Sequence, residues 1–307
     1  MQWARTLVSC VLWPALFGGA LIATHYAFRW DVNRIVSLGA VYVAFAIFVG
    51  AIEQIWPHYR PWNRNDGQVA RDLGHTLLGS IIAPRLADGL VLAAMTAPQV
   101  WLAAWYGGGL WPVHWPLAAQ VAFAVLLGDF GGYWAHRLAH TVPFLWRFHA
   151  LHHSPARLYF VNTGRFHPVD SAKSTLLIAP VLVLLGAPEE IMLWQVAVTN
   201  YVGILSHCNI AMRLGPLNYI FNTPGVHRWH HSRIPAEADN NYGENTMVWD
   251  VIFRTHLNPD RPAPVDLGIK AAMPAGFIAQ LLSPIRFRAL EAEGARQRAE
   301  QMLNETA

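Results

Sequence analysis

Cysteine and charge are both scarce in this chain. Only Cys10 and Cys208 occur in 307 residues, and neither belongs to a CxxC or CxxCH, which argues against a disulfide framework, a thiolate zinc site and c-type haem. Charged residues make up 13%, about half the share of a soluble globular domain. The net charge of +3 comes from dispersed arginines rather than a basic patch, so nucleic acid is not a partner the sequence supports. A nucleotide-binding GxGxxG unit is also missing. Gly107-Gly108-Gly109 lies between apolar stretches and Gly128 to Gly132 lies within one, so neither follows a strand. No histidine cluster carries the glutamate of HExxH, which a zinc hydrolase would use as its base.

Apolar side chains are abundant instead. They form 54% of the chain, mean hydropathy is +0.25, and the 14 tryptophans suit membrane–water interfaces. A helix crosses the hydrocarbon core with about 20 largely apolar residues, a length that residues 7–28 and 35–56 both meet. The first run follows Arg5 as a signal peptide would, but it is too long for an h-region and a second span follows at once, so it reads as an anchor. Residues 73–106 are apolar yet contain Pro84, Arg85 and Asp88, which predicts a broken span. Residues 117–135 form another apolar run. Residues 175–206 are interrupted by Gly186-Ala187-Pro188 and Glu189-Glu190, predicting a helical hairpin that enters from one side. The expected fold is all-α: a polytopic membrane protein of about four transmembrane helices plus a hairpin. Arginine and lysine lie in 57–72 (Arg60, Arg64, Arg71), in 137–173 and in the tail, which places these segments on the cytoplasmic side; Arg29 and Arg34 in the first connection run against that assignment. From about residue 284 the chain turns polar and helix-prone, and reads as a solvated terminal helix.

Histidine is the anomaly, with ten of the 15 lying between His136 and His231. His136 and His140 form an HxxxH at the end of an apolar run. His149, His152 and His153 form HxxHH, and so do His227, His230 and His231; His207 stands alone just beyond the hairpin. Residues three and four apart share a helix face, so each cluster points its rings one way. Thr223-Pro224 is a fitting N-cap and N1 pair for the last cluster's helix. Converging imidazoles without carboxylates repel when protonated, and a divalent metal relieves this. Nine are too many for one tetrahedral zinc and suit two ions with four or five each. Imidazole serves iron, zinc and copper alike, so ligand type does not name the metal. A transporter would hold its ligands in mid-span on discontinuous helices. Here they sit at span ends and in polar segments.

The HxxxH…HxxHH…HxxHH set, with "GDFGGYWAHRLAH", "LWRFHALHHS", "SHCNI", "TPGVHRWHHS", "NNYG" and "WDVIFRTH", resembles the fatty acid hydroxylase/sterol desaturase superfamily of membrane-bound di-iron enzymes over about residues 120–260. The resemblance implies that two iron ions are held by His136, His140, His149, His152, His153, His227, His230 and His231. His207 matches an extra histidine of some members; where some carry another four residues earlier, this chain has Gly203. The division it implies is a transmembrane region 1–116, a catalytic region 117–260 that includes the hairpin, and a polar tail 261–307. The implied reaction is O2-dependent hydroxylation of a lipid-like substrate from the bilayer (sterol, fatty acyl, ether lipid or carotenoid), with desaturation as the alternative. Full reduction of O2 takes four electrons and the substrate provides two, so an external donor is expected, a ferredoxin or cytochrome b5 with its reductase.

Five further residues are candidates to support the site. Asp129 lies two turns before His136 on the same face and is expected to bond a ligating histidine or Arg137. His167, in Arg165-Phe166-His167-Pro168, could ligate, support a ligand or face substrate. Asn209, Asn241 and Glu244 are candidates to orient ligands, with Asn240 to Gly243 also readable as a simple turn.

Overall fold

The computed structural model describes residues 2–30 and 32–306. Among them there is no strand, and most of the residues are helical. Helices α1 (Gln2–Ala27) and α2 (Arg34–Ile55) are the first two long apolar helices. Asn33 starts α2 by accepting from the backbone N–H groups of Ile35 and Val36, two of the donors a helix start leaves orphaned.

The third span is continuous, which corrects the expectation of a break. Val69–Tyr106 runs without interruption for 38 residues, as α3 (Val69–His75), a π-helical stretch (Thr76–Ile82) and α4 (Ala83–Tyr106). The wider π turns end just before Pro84, which falls in the first turn of α4, so the ring meets no regular helix behind it. At Gly79, within the π stretch, a Cβ would stand 2.1 Å from the Phe166 carbonyl oxygen; only glycine lets this helix touch the 165–168 loop.

Helix α5 (Leu117–Thr141) is the fourth long apolar helix and ends at Val142, where Pro143 opens α6 (Pro143–His153). The expected hairpin is α7 (Pro168–Leu184) and α8 (Glu189–His207), turned at Gly186 with φ +72°. Short helices follow: α9 (Pro224–His230), α10 (Pro235–Ala238), α11 (Val248–Phe253) and α12 (Phe277–Leu281); α13 (Ser283–Thr306) closes the chain.

Among the described residues four helices are therefore long and apolar enough to cross a membrane, and most of each is not buried within the protein. Ile47, Phe48, Leu86, Leu90, Trp101 and Trp105 all project outward. Apolar exposure on this scale marks a lipid-facing surface rather than a soluble one. The packed core lies where α1 and α2 meet α8, through Trp13, Leu16, Phe45, Val49, Tyr201 and Leu205.

The buried charges tie the spans to the polar loops. Glu53, near the end of α2, accepts from the backbone N–H groups of Phe160 and Asn209, both at 2.8 Å. Asp72 on α3 pairs with Arg165 at 2.5 Å and accepts from the Tyr159 hydroxyl. Both members of the Asp72–Arg165 pair are buried, so replacing Arg165 with alanine leaves an uncompensated carboxylate. We expect this to cost roughly 3–5 kcal/mol, read as faster thermal inactivation of the detergent-solubilised protein.

Candidate metal centre

The fold brings all nine clustered histidines together and sorts them into two groups. His136, His140, His149, His153 and His230 form one; His152, His207, His227 and His231 form the other. Within each, one nitrogen per ring lies within 4.8 Å of all the others. Neither HxxHH belongs to a single group. From α6, residues i and i+4 (His149, His153) join the group of five and i+3 (His152) joins the four. From α9 and its C-cap the assignment is reversed: His227 and His231 join the four and His230 the five. His136 and His140 come from the last two turns of α5, and His207 from the last residue of α8. Gly203 stands one turn before His207, on the side with four rings.

Hydrogen bonds at the outer nitrogens set the tautomers. His136 Nδ1 donates to the Tyr242 carbonyl at 2.8 Å and His230 Nδ1 to that of Asn240 at 2.7 Å. His140 Nδ1 bonds Asp239 at 3.0 Å, His149 Nδ1 bonds Asp170 at 2.7 Å, and His207 Nδ1 bonds the side-chain oxygen of Asn162 at 3.1 Å. Each acceptor can only accept, so each of these rings carries its proton on Nδ1 and turns a bare Nε2 inward. This is the arrangement by which metal-ligating imidazoles are usually held.

The inner nitrogens fit a cation. His153 Nε2 lies 3.1 Å from both His140 Nε2 and His149 Nε2; His227 Nε2 lies 2.9 Å from His207 Nε2 and 3.1 Å from His231 Nε2. One proton on His153 could satisfy only one of its two neighbours, leaving another pair of lone pairs face to face. The buried Nε2 atoms of His136 and His230 have no hydrogen-bond partner among the described residues. Two nitrogens bound to one ion at roughly 2.1 Å stand about 3.0 to 3.4 Å apart, close to these spacings. Burial also keeps five of the rings neutral: desolvation, and behind it the neighbouring imidazoles, hold His152, His153, His227 and His231 well below the usual histidine range, and His230 is brought down to about 3.

The supporting candidates fare unevenly. Asp129 bonds neither a histidine nor Arg137; its carboxylate accepts from the Asn245 side chain and the Thr246 backbone, pinning that loop to α5. His167 belongs to neither group. Its Nδ1 accepts from the Val169 N–H as the cap of α7, and Nε2 donates to the Leu281 carbonyl. Replacing His167 with alanine is expected to leave metal content unchanged and to cost about 1 kcal/mol in the lost cap, measured by metal analysis beside a thermal melt.

Asn209 ties the end of α8 to Tyr59 and Asn63 rather than touching a ring. Asn241 is left-handed (φ +57°) and bonds Val226 and Leu257. Its backbone neighbours on either side present the carbonyls that hold His230 and His136, so the Asn-Asn-Tyr-Gly segment is a turn and also orients two rings. Glu244 packs against Gly132, one turn before His136, and burial, with Asp129 nearby, raises its carboxyl to about 7. Thr223 occupies the N-cap position of α9 as expected, but its hydroxyl bonds the Asn218 side chain instead of the helix.

Sequence reasoning missed Asp170 and Asp239. Asp170 lies in the first turn of α7 and is held by Lys173 at 2.8 Å as well as by His149. The Asp-x-x-Lys spacing at a helix start was the available signal; nothing local announces Asp239. Changing Asp170 to asparagine keeps an acceptor but removes the charge. We expect roughly 10- to 100-fold weaker metal retention, read by competition with a chelator.

A multi-pass helical scaffold carrying two buried imidazole groups, each able to hold a metal ion, defines a membrane metalloprotein type. The comparisons with known proteins make the class specific. The fatty acid hydroxylase model matches residues 121–255. The ornithine lipid hydroxylase OlsE of Rhizobium tropici is 43% identical over 280 residues, covering 90% of this chain and 84% of that protein. The alkylglycerol monooxygenase of Xenopus tropicalis is 29% identical over 227 residues, covering 74% of this chain and 48% of its own; that of Homo sapiens is 32% identical over 134 residues, covering 43% and 30%. No solved structure matches the chain. The chain belongs to the fatty acid hydroxylase family, and it is an oxidoreductase of that iron-dependent family.

Proposed function

We propose that this protein is a membrane-bound di-iron monooxygenase that hydroxylates an acyl lipid of the ornithine-lipid type. The observation that carries the reading is the interleaving of the two HxxHH elements across a group of five and a group of four imidazoles, with bare nitrogens turned inward by His136, His140, His149 and His230 in the first and by His207 in the second. His136, His140, His149, His153 and His230 would hold one iron; His152, His207, His227 and His231 would hold the other. When bound, the pair supplies activation of O2 for insertion into an unactivated C–H bond.

The protein's own part is positional. Asp170, Asp239, Asn162 and the carbonyls of Asn240 and Tyr242 keep the Nδ1 protons in place. Phe166 stacks flat on His152 (4.1 Å, 10°) and fixes that ring. Burial of the cluster excludes bulk water. The substrate reaches the site from the bilayer between the apolar spans of region 1–116, with 117–260 as the catalytic region and 261–307 as the tail. Arginines in 57–72 and 137–173 favour placing the histidines on the cytoplasmic face. The second electron pair comes from a separate donor, a ferredoxin or cytochrome b5 with its reductase. The relative named an ornithine lipid hydroxylase favours a polar acyl lipid over a sterol or carotenoid.

The test is metal analysis of detergent-purified protein with Mössbauer spectroscopy on an iron-57 sample, followed by incubation with ornithine lipid, O2 and a reducing system. About two coupled irons per chain and an added oxygen atom in the product are expected. One zinc, or no retained metal, would overturn the mechanism.

A further inference from the structure

The start of the tail helix α13 carries apolar side chains on two sides, and only one of these sides is used inside the protein. Phe287 and Leu290 are buried, and α13 packs along α6, the helix that carries His149, His152 and His153. Ile285 points the other way and is 80% exposed; beside it in sequence are Leu282 (50%) and, on α12, Ile278 (63%). On α6, Phe144 is likewise 61% exposed, just after the fourth long apolar helix ends at Thr141. Exposed apolar side chains of this size next to the end of a span mark a surface that meets lipid.

Within this surface is a shallow, open concavity at the junction of α6 and α13, lined by Arg147, Ile285, Arg286, Arg288 and Ala289. Its three arginines take part in none of the ion pairs found among the described residues, although acidic residues lie further along α13. Three arginines line one concavity, Arg286 and Arg288 following Ile285 on α13 and Arg147 reaching it from α6, with no carboxylate among the lining residues; such a set has the chemistry of a phosphate site. The apolar rim decides the source. A free phosphate has no use for Ile285 and Leu282, whereas the phosphodiester of a bilayer lipid arrives with acyl chains to cover them.

We propose that Arg147, Arg286 and Arg288 form a binding site for the headgroup phosphate of an anionic membrane lipid, seating α13 on the bilayer surface. The site is separate from the imidazole groups and holds whether or not they carry iron. Arginine near an anionic membrane surface contributes roughly five-fold each to binding. Neutralising all three therefore removes on the order of 100-fold of the attraction. Because α13 lies on the back of α6, its seating also braces the helix that presents three of the nine histidines.

The test uses the full chain in nanodiscs, with Cys10→Ser and Ala292→Cys carrying an environment-sensitive fluorophore; Ala292 is exposed on α13 two turns beyond Ile285. In nanodiscs containing phosphatidylglycerol, lipids with a quencher near the headgroup should quench the fluorophore strongly. In purely zwitterionic nanodiscs, or in the Arg147→Gln/Arg286→Gln/Arg288→Gln variant, quenching should fall by at least half. Equal quenching in all three cases would overturn the proposal. So would reversal of the quenching by millimolar inorganic phosphate, which would assign the pocket to a soluble anion. Insensitivity to lipid quencher together with protection by an acidic redox protein would assign the surface to a protein partner and equally overturn it. A parallel iron count on the same samples separates this outcome from any failure of the di-iron reading.

Discussion

Alanine at His152 or at His230 abolishes turnover while the protein still inserts and accumulates. The expected loss is on the order of 10³-fold or more, because a bound metal ion supplies several kcal/mol of transition-state stabilisation. Insertion survives because neither residue lies on any of the four long apolar helices. The interleaving makes a sharper claim about metal content. His152 and His153 are adjacent yet serve different groups, as do His230 and His231. His152→Ala should therefore weaken the same ion as His227→Ala and His231→Ala, and His230→Ala the same ion as His149→Ala and His153→Ala. Mössbauer spectra of the six variants should fall into two classes. If they divided instead by motif, with all α6 variants alike and all α9 variants alike, the assignment of ligands would be wrong.

Removing the metal should destabilise the protein and make it acid-sensitive. A ligand present at a thousand times its dissociation constant contributes about 4 kcal/mol, which in a chain of this size corresponds to roughly 10 °C in Tm. In the metal-free protein, burial holds His152, His153, His227, His230 and His231 far below the usual histidine pKa. The folded state keeps them neutral while the unfolded chain takes up protons near pH 6.5, so the unfolded state binds more protons below that value. Stability is thus fully present above about pH 6.5 and is lost as pH falls toward 3, at up to roughly 1.4 kcal/mol per pH unit for each ring. Bound metal blocks protonation until it dissociates, which moves the collapse to lower pH. Thermal melts of chelated and iron-loaded protein between pH 5 and 8 check this. A metal-free melt that did not depend on pH would contradict the burial of the rings.

How much of this could be read beforehand depended on whether the signal was local. The four spans were legible because crossing a bilayer demands about 20 apolar residues in a row, a property of contiguous sequence. The hairpin was legible from Gly186 and Pro188, and the nine histidines from i, i+3, i+4 spacing, which a helix converts into a shared face whatever surrounds it. Even the division into two groups was suggested by the count of imidazoles. The continuity of Val69–Tyr106 was not legible, because Pro84 signals a break unless the preceding turns widen into a π-helix. That widening accompanies the contact of Gly79 with the Phe166 carbonyl, a residue far along the chain.

The sequence by itself therefore determined the class of fold, the family and the set of histidines. Only the tertiary structure decided which imidazole joins which group. Helical periodicity puts His149, His152 and His153 on one face but cannot say that a second motif, arriving from α9, meets that face with its own assignment reversed. The same holds for the groups that aim the rings. Asp170, Asp239, Asn162 and the carbonyls of Asn240 and Tyr242 lie 10 to 106 residues from the histidines they hold. Their role comes from where the chain returns, and a hydrogen bond needs only proximity at the end of folding, which leaves no periodic trace in the sequence.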